Sequence, residues 1–261
     1  MKPLRIGCVK YLNARPLIRG WLGEVDFDHP VTLCERLANG QLDVALVSSF
    51  EFLRNPIYRI VDEVSISSDG PVYSVVVAHR GDISEIKEIE LDPASQTAVN
   101  LLRCLHAQVG FNPRLVRRNT GVSPAGAKSI SARRAQLLIG DQAIRFRESH
   151  AGEFRFWDLG EQWKKLIGLP FVYALWLIRP EVPDAKTIAS LVRTLRDENL
   201  ADLDRLVSAE TEFDHQFCAS YYREHLRFSF REEEKEGLRT FAKLCAKHGL
   251  LEESDLRFDL V

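Results

Sequence analysis

Short apolar runs alternate with amphipathic stretches along most of the chain. Leu4 to Val9 is apolar and breaks into a polar turn at Lys10 to Arg15, after which Pro16 opens a helical pattern with Leu17, Ile18, Trp21 and Leu22 on one face. This predicts a strand, a loop and a helix that Gly23 ends. The free N–H groups of the first turn would face the loop holding Asn13, where an anion or a polarised oxygen can sit. Val25-Asp26-Phe27 offers a short second strand. Thr32 with Glu35 three residues on predicts a capping box and a helix that stops near Gly40; Ser48 with Glu51 predicts a second box after the buried strand Leu42 to Val47. Apolar strands alternating with helices imply a parallel sheet with its active edge at the strand C-termini.

Tyr58 to Ser67 leads into Ser68-Asp69-Gly70-Pro71-Val72-Tyr73-Ser74 and the apolar strand Val75 to Ala78. Asp-Gly-Pro forces a turn, and the strand leaving it is a candidate connection to a second lobe. Lys87 to Leu91 reads as a strand, and Asp92 to Thr97 leads into a helix through Val99, Leu102, Leu105 and Val109 that Gly110 stops. Arg114 to Arg118 is another strand, Gly121 to Gly126 a loop, and Leu137 to Asp141 a strand ending in a polar turn. Trp157 to Trp163 should start a helix. Gly168 to Ile178 is a second long apolar strand and the expected return crossing; from Pro183 the pattern is nearly all helical, ending in Glu232 to His248 with Leu238, Phe241, Leu244 and Cys245 on one face. The expected layout is an α/β chain in two lobes with an interlobe cleft, 1–74 and 178–261 forming the first lobe and 75–177 the second.

Composition narrows the function. The 261 residues are 45% hydrophobic, enough for a real core, and a net charge of -2 with 28% charged residues of both signs suggests neither nucleic acid nor an acidic membrane as partner. No apolar run approaches the roughly 20 residues that a membrane span needs. Met1-Lys2-Pro3 passes directly into the first strand without an apolar signal core, so a cytoplasmic location is expected. Five scattered cysteines, Cys8, Cys34, Cys104, Cys218 and Cys245, form no C-x-x-C pair and fit buried thiols. The seven histidines show no metal-ligand spacing with them, and no phosphate loop, dinucleotide fingerprint, nucleophile elbow or zinc-protease motif is present. No cofactor or metal is implied, and nothing in the sequence sets an oligomeric state.

Several polar residues are placed for chemistry. Asn13 can hold a hydroxyl or a carboxylate, or serve as a turn residue or helix cap. Ser74 would present its hydroxyl from the crossing strand behind a backbone shaped by Gly70 and Pro71, or simply hydrogen-bond at a strand edge. Ser48 and Ser49, and Ser95, Gln96 and Thr97, stand at helix starts; they either satisfy helix N–H groups or clamp the two ends of a dicarboxylate from opposite lobes. Gly140 and Asp141 end a strand, as a cleft wall or a cap. Lys10 and Arg15 can attract an anion.

Tyr11-Leu12-Asn13-Ala14-Arg15-Pro16-Leu17 resembles the N-terminal signature of the chorismate dehydratases of the futalosine route to menaquinone. Asp69 to Ser74, Gly140-Asp141 and the aromatic segment with Trp157, Trp163, Phe171 and Tyr173 are similar to that family too, while Ala98 stands where it usually carries a second hydroxyl after Thr97. The layout read above is that of a type 2 periplasmic-binding-protein-like fold, whose interlobe cleft takes small ligands. The resemblance implies loss of water from chorismate to give 3-[(1-carboxyvinyl)oxy]benzoate, with Asn13 as the active-site asparagine and Ser74 as the serine facing substrate.

No histidine or lysine in the matched motifs is an evident base, so the expected base is the enolpyruvyl carboxylate of chorismate itself. The rival readings are the sister lyase acting on cyclic dehypoxanthine futalosine, whose signature is rich in Ser-Pro-Cys-Pro-Asn-Asp, and a non-enzymatic binder of small anions. Fold alone does not separate an enzyme from a binder.

Overall fold

In the computed structural model, which describes residues 3–92, 95–117 and 130–261, the apolar runs become the strands of two sheets. The first has six strands: β1 (Ile6–Cys8), β2 (Val25–Phe27), β3 (Val44–Ser48), β4 (Arg59–Ser68), β10 (Phe171–Ile178) and β11 (Asp259–Leu260), ordered β11-β4-β10-β3-β1-β2. β1 is parallel to β2 and β3, whereas β10 is antiparallel to β3 and β4, with Ala174 opposite Ser48 and Phe171 opposite Ser68. The second sheet holds β5 (Val75–His79), β6 (Glu88–Leu91), β7 (Arg114–Arg117), β8 (Arg134–Ile139) and β9 (Arg155–Asp158) in the order β7-β6-β8-β5-β9.

The second boundary of the expected layout moves. Residues 171–177 were expected in the second lobe, but β10 lies between β3 and β4 in the first sheet. Its pattern fits a central place in either sheet: a strand buried on both faces is apolar throughout, and Phe171, Val172, Leu175, Trp176, Leu177 and Ile178 are all buried. Trp176 is fully buried, a burial that stabilises by about 2–3 kcal/mol for a side chain of this size.

Helices cover the sheets: α1 (Pro30–Ala38), α2 (Ser49–Arg54), α3 (Thr97–Val109), α4 (Gly140–Ser149), α5 (Leu159–Ile167), α6 (Ala185–Ala201), α7 (Leu203–Ser208), α8 (His215–Ser220) and α9 (Glu232–Lys247). α3 stops at Gly110 as its pattern predicts, and α9 buries Leu238, Phe241 and Cys245. Other local expectations fail. The chain from Leu12 to Leu17 is a 3-10 turn with Pro16 inside it, so Asn13 lies in the turn rather than ahead of it. α1 starts at Pro30, two residues before Thr32, because a proline fits the first helical position. Gly140 and Asp141 open α4 instead of forming a turn. The loop expected from Gly121 to Gly126 lies outside the described residues. All five cysteines are buried and unbridged.

Candidate active site

The C-terminal ends of β1 and β3 face the N-terminal ends of α3 and α4 across the gap between the sheets. A cavity of about 80 Å³ sits there, lined from the first sheet by Val9, Tyr11, Asn13, Leu46 and Ser48 and from the second by Val75, Ser95 to Ala98, Ile139 and Gly140, with Tyr173 and Ala174 of β10 behind. Among the described residues no charged side chain lines it. A more open hollow of about 1000 Å³ between Arg196 and the segment Arg227 to Glu234 holds none of the expected site residues.

Two polar atoms in the cavity have no partner: Asn13 Oδ1 from the first lobe and Gln96 Oε1 from the second. A buried amide without a hydrogen bond is costly, by about 1–3 kcal/mol, which makes both groups ready acceptors or, with the amide turned, donors for a bound ligand. The hydroxyls expected to clamp a dicarboxylate meet each other instead. Thr97 Oγ1 lies 2.5 Å from Ser48 Oγ and 3.3 Å from Ser49 Oγ, and accepts from the Phe50 N–H at 3.2 Å; Ser49 also donates to the Val172 carbonyl at 2.7 Å. Ser48 makes no side-chain cap to α2, and Glu51 turns inward to Arg54 and Tyr58. Ser95 does cap, accepting from the Ala98 N–H at 3.1 Å.

A second seam joins the lobes. Asp141 Oδ1 accepts the Leu12 N–H at 2.8 Å, tying the start of the turn that holds Asn13 to the first turn of α4. Tyr222 donates to the Leu12 carbonyl at 3.0 Å, and the Tyr11 ring lies so close to Gly140 that a Cβ there would sit 2.8 Å from it. Burial raises the Asp141 carboxyl above the usual carboxylate range, against the pull of the Leu12 amide and of Arg15. Burial likewise raises the phenols of Tyr11 and Tyr173, so both stay protonated.

Of the remaining expected residues, Ser74, Gly70, Pro71, Arg15 and Lys10 stand outside the cavity lining. Ser74 is fully buried, its Oγ accepting from Tyr221 at 2.7 Å and its carbonyl accepting from the N–H of Gly140, which lines the cavity, at 2.8 Å. The carbonyls of Gly70 and Pro71 accept from Ser68 Oγ at 3.1 Å and His225 Nδ1 at 2.9 Å. Arg15 is paired with Glu210 and, at 3.4 Å, with Glu212, so its charge is already matched. Lys10 is exposed over the Phe27 ring at 5.9 Å. Of the aromatic segment, Trp163 and Phe171 are core, and Tyr173 reaches the cavity. Sequence reasoning passed over Tyr11, although it stands inside the signature, and Tyr221, for which no local pattern exists.

Comparison with known proteins gives the family and the fold. A family model described as menaquinone biosynthesis matches residues 4–247. The chorismate dehydratase of Thermus thermophilus is 30% identical over 93% of this chain and 95% of its own length. Among solved structures, a protein of Archaeoglobus fulgidus superposes with a TM-score of 0.73 at 18% identity over 95% of this chain and 98% of that one. The periplasmic aliphatic sulphonate binding protein of Escherichia coli does so at 0.61 and 14%, over 98% of this chain and 94% of its own. These two likenesses speak for the fold, a two-lobed periplasmic-binding-protein-like one. By the family model and the Thermus relative together, this chain belongs to the menaquinone-biosynthesis family of chorismate dehydratases.

Proposed function

We propose that the protein removes water from chorismate to give 3-[(1-carboxyvinyl)oxy]benzoate, the first step of the futalosine route, in the cavity between the two sheets. The observation that carries this reading is the end-to-end similarity to the Thermus dehydratase. The chemistry of the cavity supports it. The hydrogen on the ring carbon bearing the ether leaves as a proton, the neighbouring hydroxyl departs, and the ring becomes aromatic, which drives the reaction. What the protein must do is hold one conformer against competing rearrangement and loss of pyruvate.

Among the described residues the lining offers no carboxylate, histidine or lysine as base, and its two phenols stay protonated. The enolpyruvyl carboxylate of the substrate therefore takes the proton in this reading. Asn13 and Ser74 orient the leaving hydroxyl, and Gln96 and Ser95 supply neutral contacts to the carboxylates. The signature Tyr11 to Leu17, standing where the sister lyase carries one rich in Ser-Pro-Cys-Pro-Asn-Asp, speaks against that rival. A cytoplasmic location belongs to the same proposal and is supported by the five unbridged cysteines. Among the described residues no helix is long and apolar enough to cross a membrane.

The test is incubation of purified protein with chorismate and no added cofactor, followed by liquid chromatography and mass spectrometry. A product lighter by one water, with an aromatic ultraviolet spectrum, is expected. Unchanged chorismate that raises the melting temperature would replace the reading with that of a binder. Asn13→Asp should abolish most turnover by setting a negative charge beside a dianion, and full activity in that variant would remove Asn13 from its role.

A further inference from the structure

Ser74 does not hold its side chain by itself. Its hydroxyl has one proton to give and two lone pairs to receive. One lone pair takes the Tyr221 proton at 2.7 Å, and among the described residues the Ser74 proton has no acceptor. The next residue, Val75, lines the cavity, as does Gly140, whose N–H is bonded to the Ser74 carbonyl. Ser74 thus sits beside two residues of the lining with its donor uncommitted.

Tyr221 is well suited to direct that donor. It is fully buried, and its ring is stacked on Phe217 with centroids 5.5 Å apart and planes 15° from parallel. It opens a turn of π-helix, Tyr221–His225, at the end of α8. Such turns are frequent at functional sites. Desolvation raises its phenol far above neutrality, so it remains a donor at every working pH.

We propose that Tyr221 is a positioning residue for the dehydration: by donating to Ser74 Oγ it turns the Ser74 proton toward the leaving hydroxyl of the substrate. This rests on the reading of Ser74 given above. Tyr221 touches no substrate and acts only through Ser74, so its effect must vanish when Ser74 has no hydroxyl.

The experiment is a double-mutant cycle on chorismate dehydration with Tyr221→Phe, Ser74→Ala and the pair, each checked for folding by its thermal melt. Phenylalanine keeps the ring stack. Tyr221→Phe is expected to lower kcat about tenfold with KM changed by no more than about twofold, the size of one lost hydrogen bond made in the transition state. In the Ser74→Ala background the same substitution should leave kcat unchanged. Wild-type kcat in Tyr221→Phe beside an impaired Ser74→Ala overturns the proposal while sparing Ser74. A tenfold loss in both backgrounds overturns it as well, since Tyr221 would then act by another route. Full activity in Ser74→Ala removes the reading of Ser74, and the proposal with it.

Discussion

The chain passes between the two sheets twice, and the two passages are built in different ways. In the first, Ser68 to Ser74, nearly every residue is tied. Asp69 pairs with Lys164 at 2.5 Å and Arg227 at 2.6 Å, Pro71 with His225, and the N–H groups of Val72 and Tyr73 with the Asp158 carboxylate at 3.0 and 2.8 Å. Arg147 donates to the Tyr73 carbonyl at 2.9 Å and lies 3.8 Å from the centre of its ring. Tyr73 has φ 67, a left-handed backbone that a bulky residue keeps only when its surroundings over-determine it. The second passage, Gly168 to Pro170, is a helix stop: Gly168 at φ 80 bonds back to Lys164, with nothing within 4 Å of a Cβ position. The passage that delivers Ser74 is rigid; the other only turns the chain.

The difference can be broken most severely at Asp158. Its carboxylate accepts four backbone N–H groups, those of Val72, Tyr73, Gly160 and Glu161, and the residue is 5% exposed. Asp158→Ala strands these donors and should lower stability by about 3 kcal/mol or more, read by urea denaturation, with a fall in kcat as Ser74 loses its place. A variant as stable as the wild type would show that the first passage does not depend on this clamp. Gly160→Ala comes next: its Cβ would sit 2.5 Å from the Gly70 carbonyl and 2.7 Å from the Tyr173 hydroxyl. Overpacking of this kind costs about 1–3 kcal/mol, and a raised KM for chorismate should accompany it because Tyr173 lines the cavity.

The same substitution at the second passage sharpens the contrast. Gly168→Ala meets no neighbour, so only backbone strain of about 1 kcal/mol opposes it, and kcat and KM should stay at wild-type values. Lost activity there would mean that the second passage also shapes the site. The smallest effect is expected from Arg227→Gln, whose pair with Asp69 is partly exposed. A change in stability of at most about 1 kcal/mol, smaller still at high salt, is expected from a melt at two ionic strengths.

Much of the fold was legible because burial leaves a periodic record. β3 and β5 were read as buried strands, and α3 and α9 were bounded to within a residue or two by their apolar spacing and by Gly110. β10 was also visible as an apolar run, yet its sheet was misassigned, since a run buried on both faces carries no mark of which neighbours bury it. Of the site, the signature around Asn13 and the polar group Ser95 to Thr97 were found, and both reach the cavity. Arg15 was read as a ligand for anions because sequence shows a charge but not Glu210, 195 residues away, that neutralises it.

What the sequence by itself determined is the run of strands and helices, the two-lobed layout and the family, all of which depend on near neighbours or on an unbroken motif. What only the tertiary structure decided is the partner of each polar group. Ser48 begins a pattern that predicts a helix cap, and its hydroxyl bonds Thr97 instead; Ser74 looks free, and Tyr221 holds it from 147 residues away. The reason is physical. Burial acts on each residue through its own face of a helix or strand and so repeats along the chain, whereas a hydrogen bond is satisfied by whichever donor or acceptor the folded chain brings within about 3 Å.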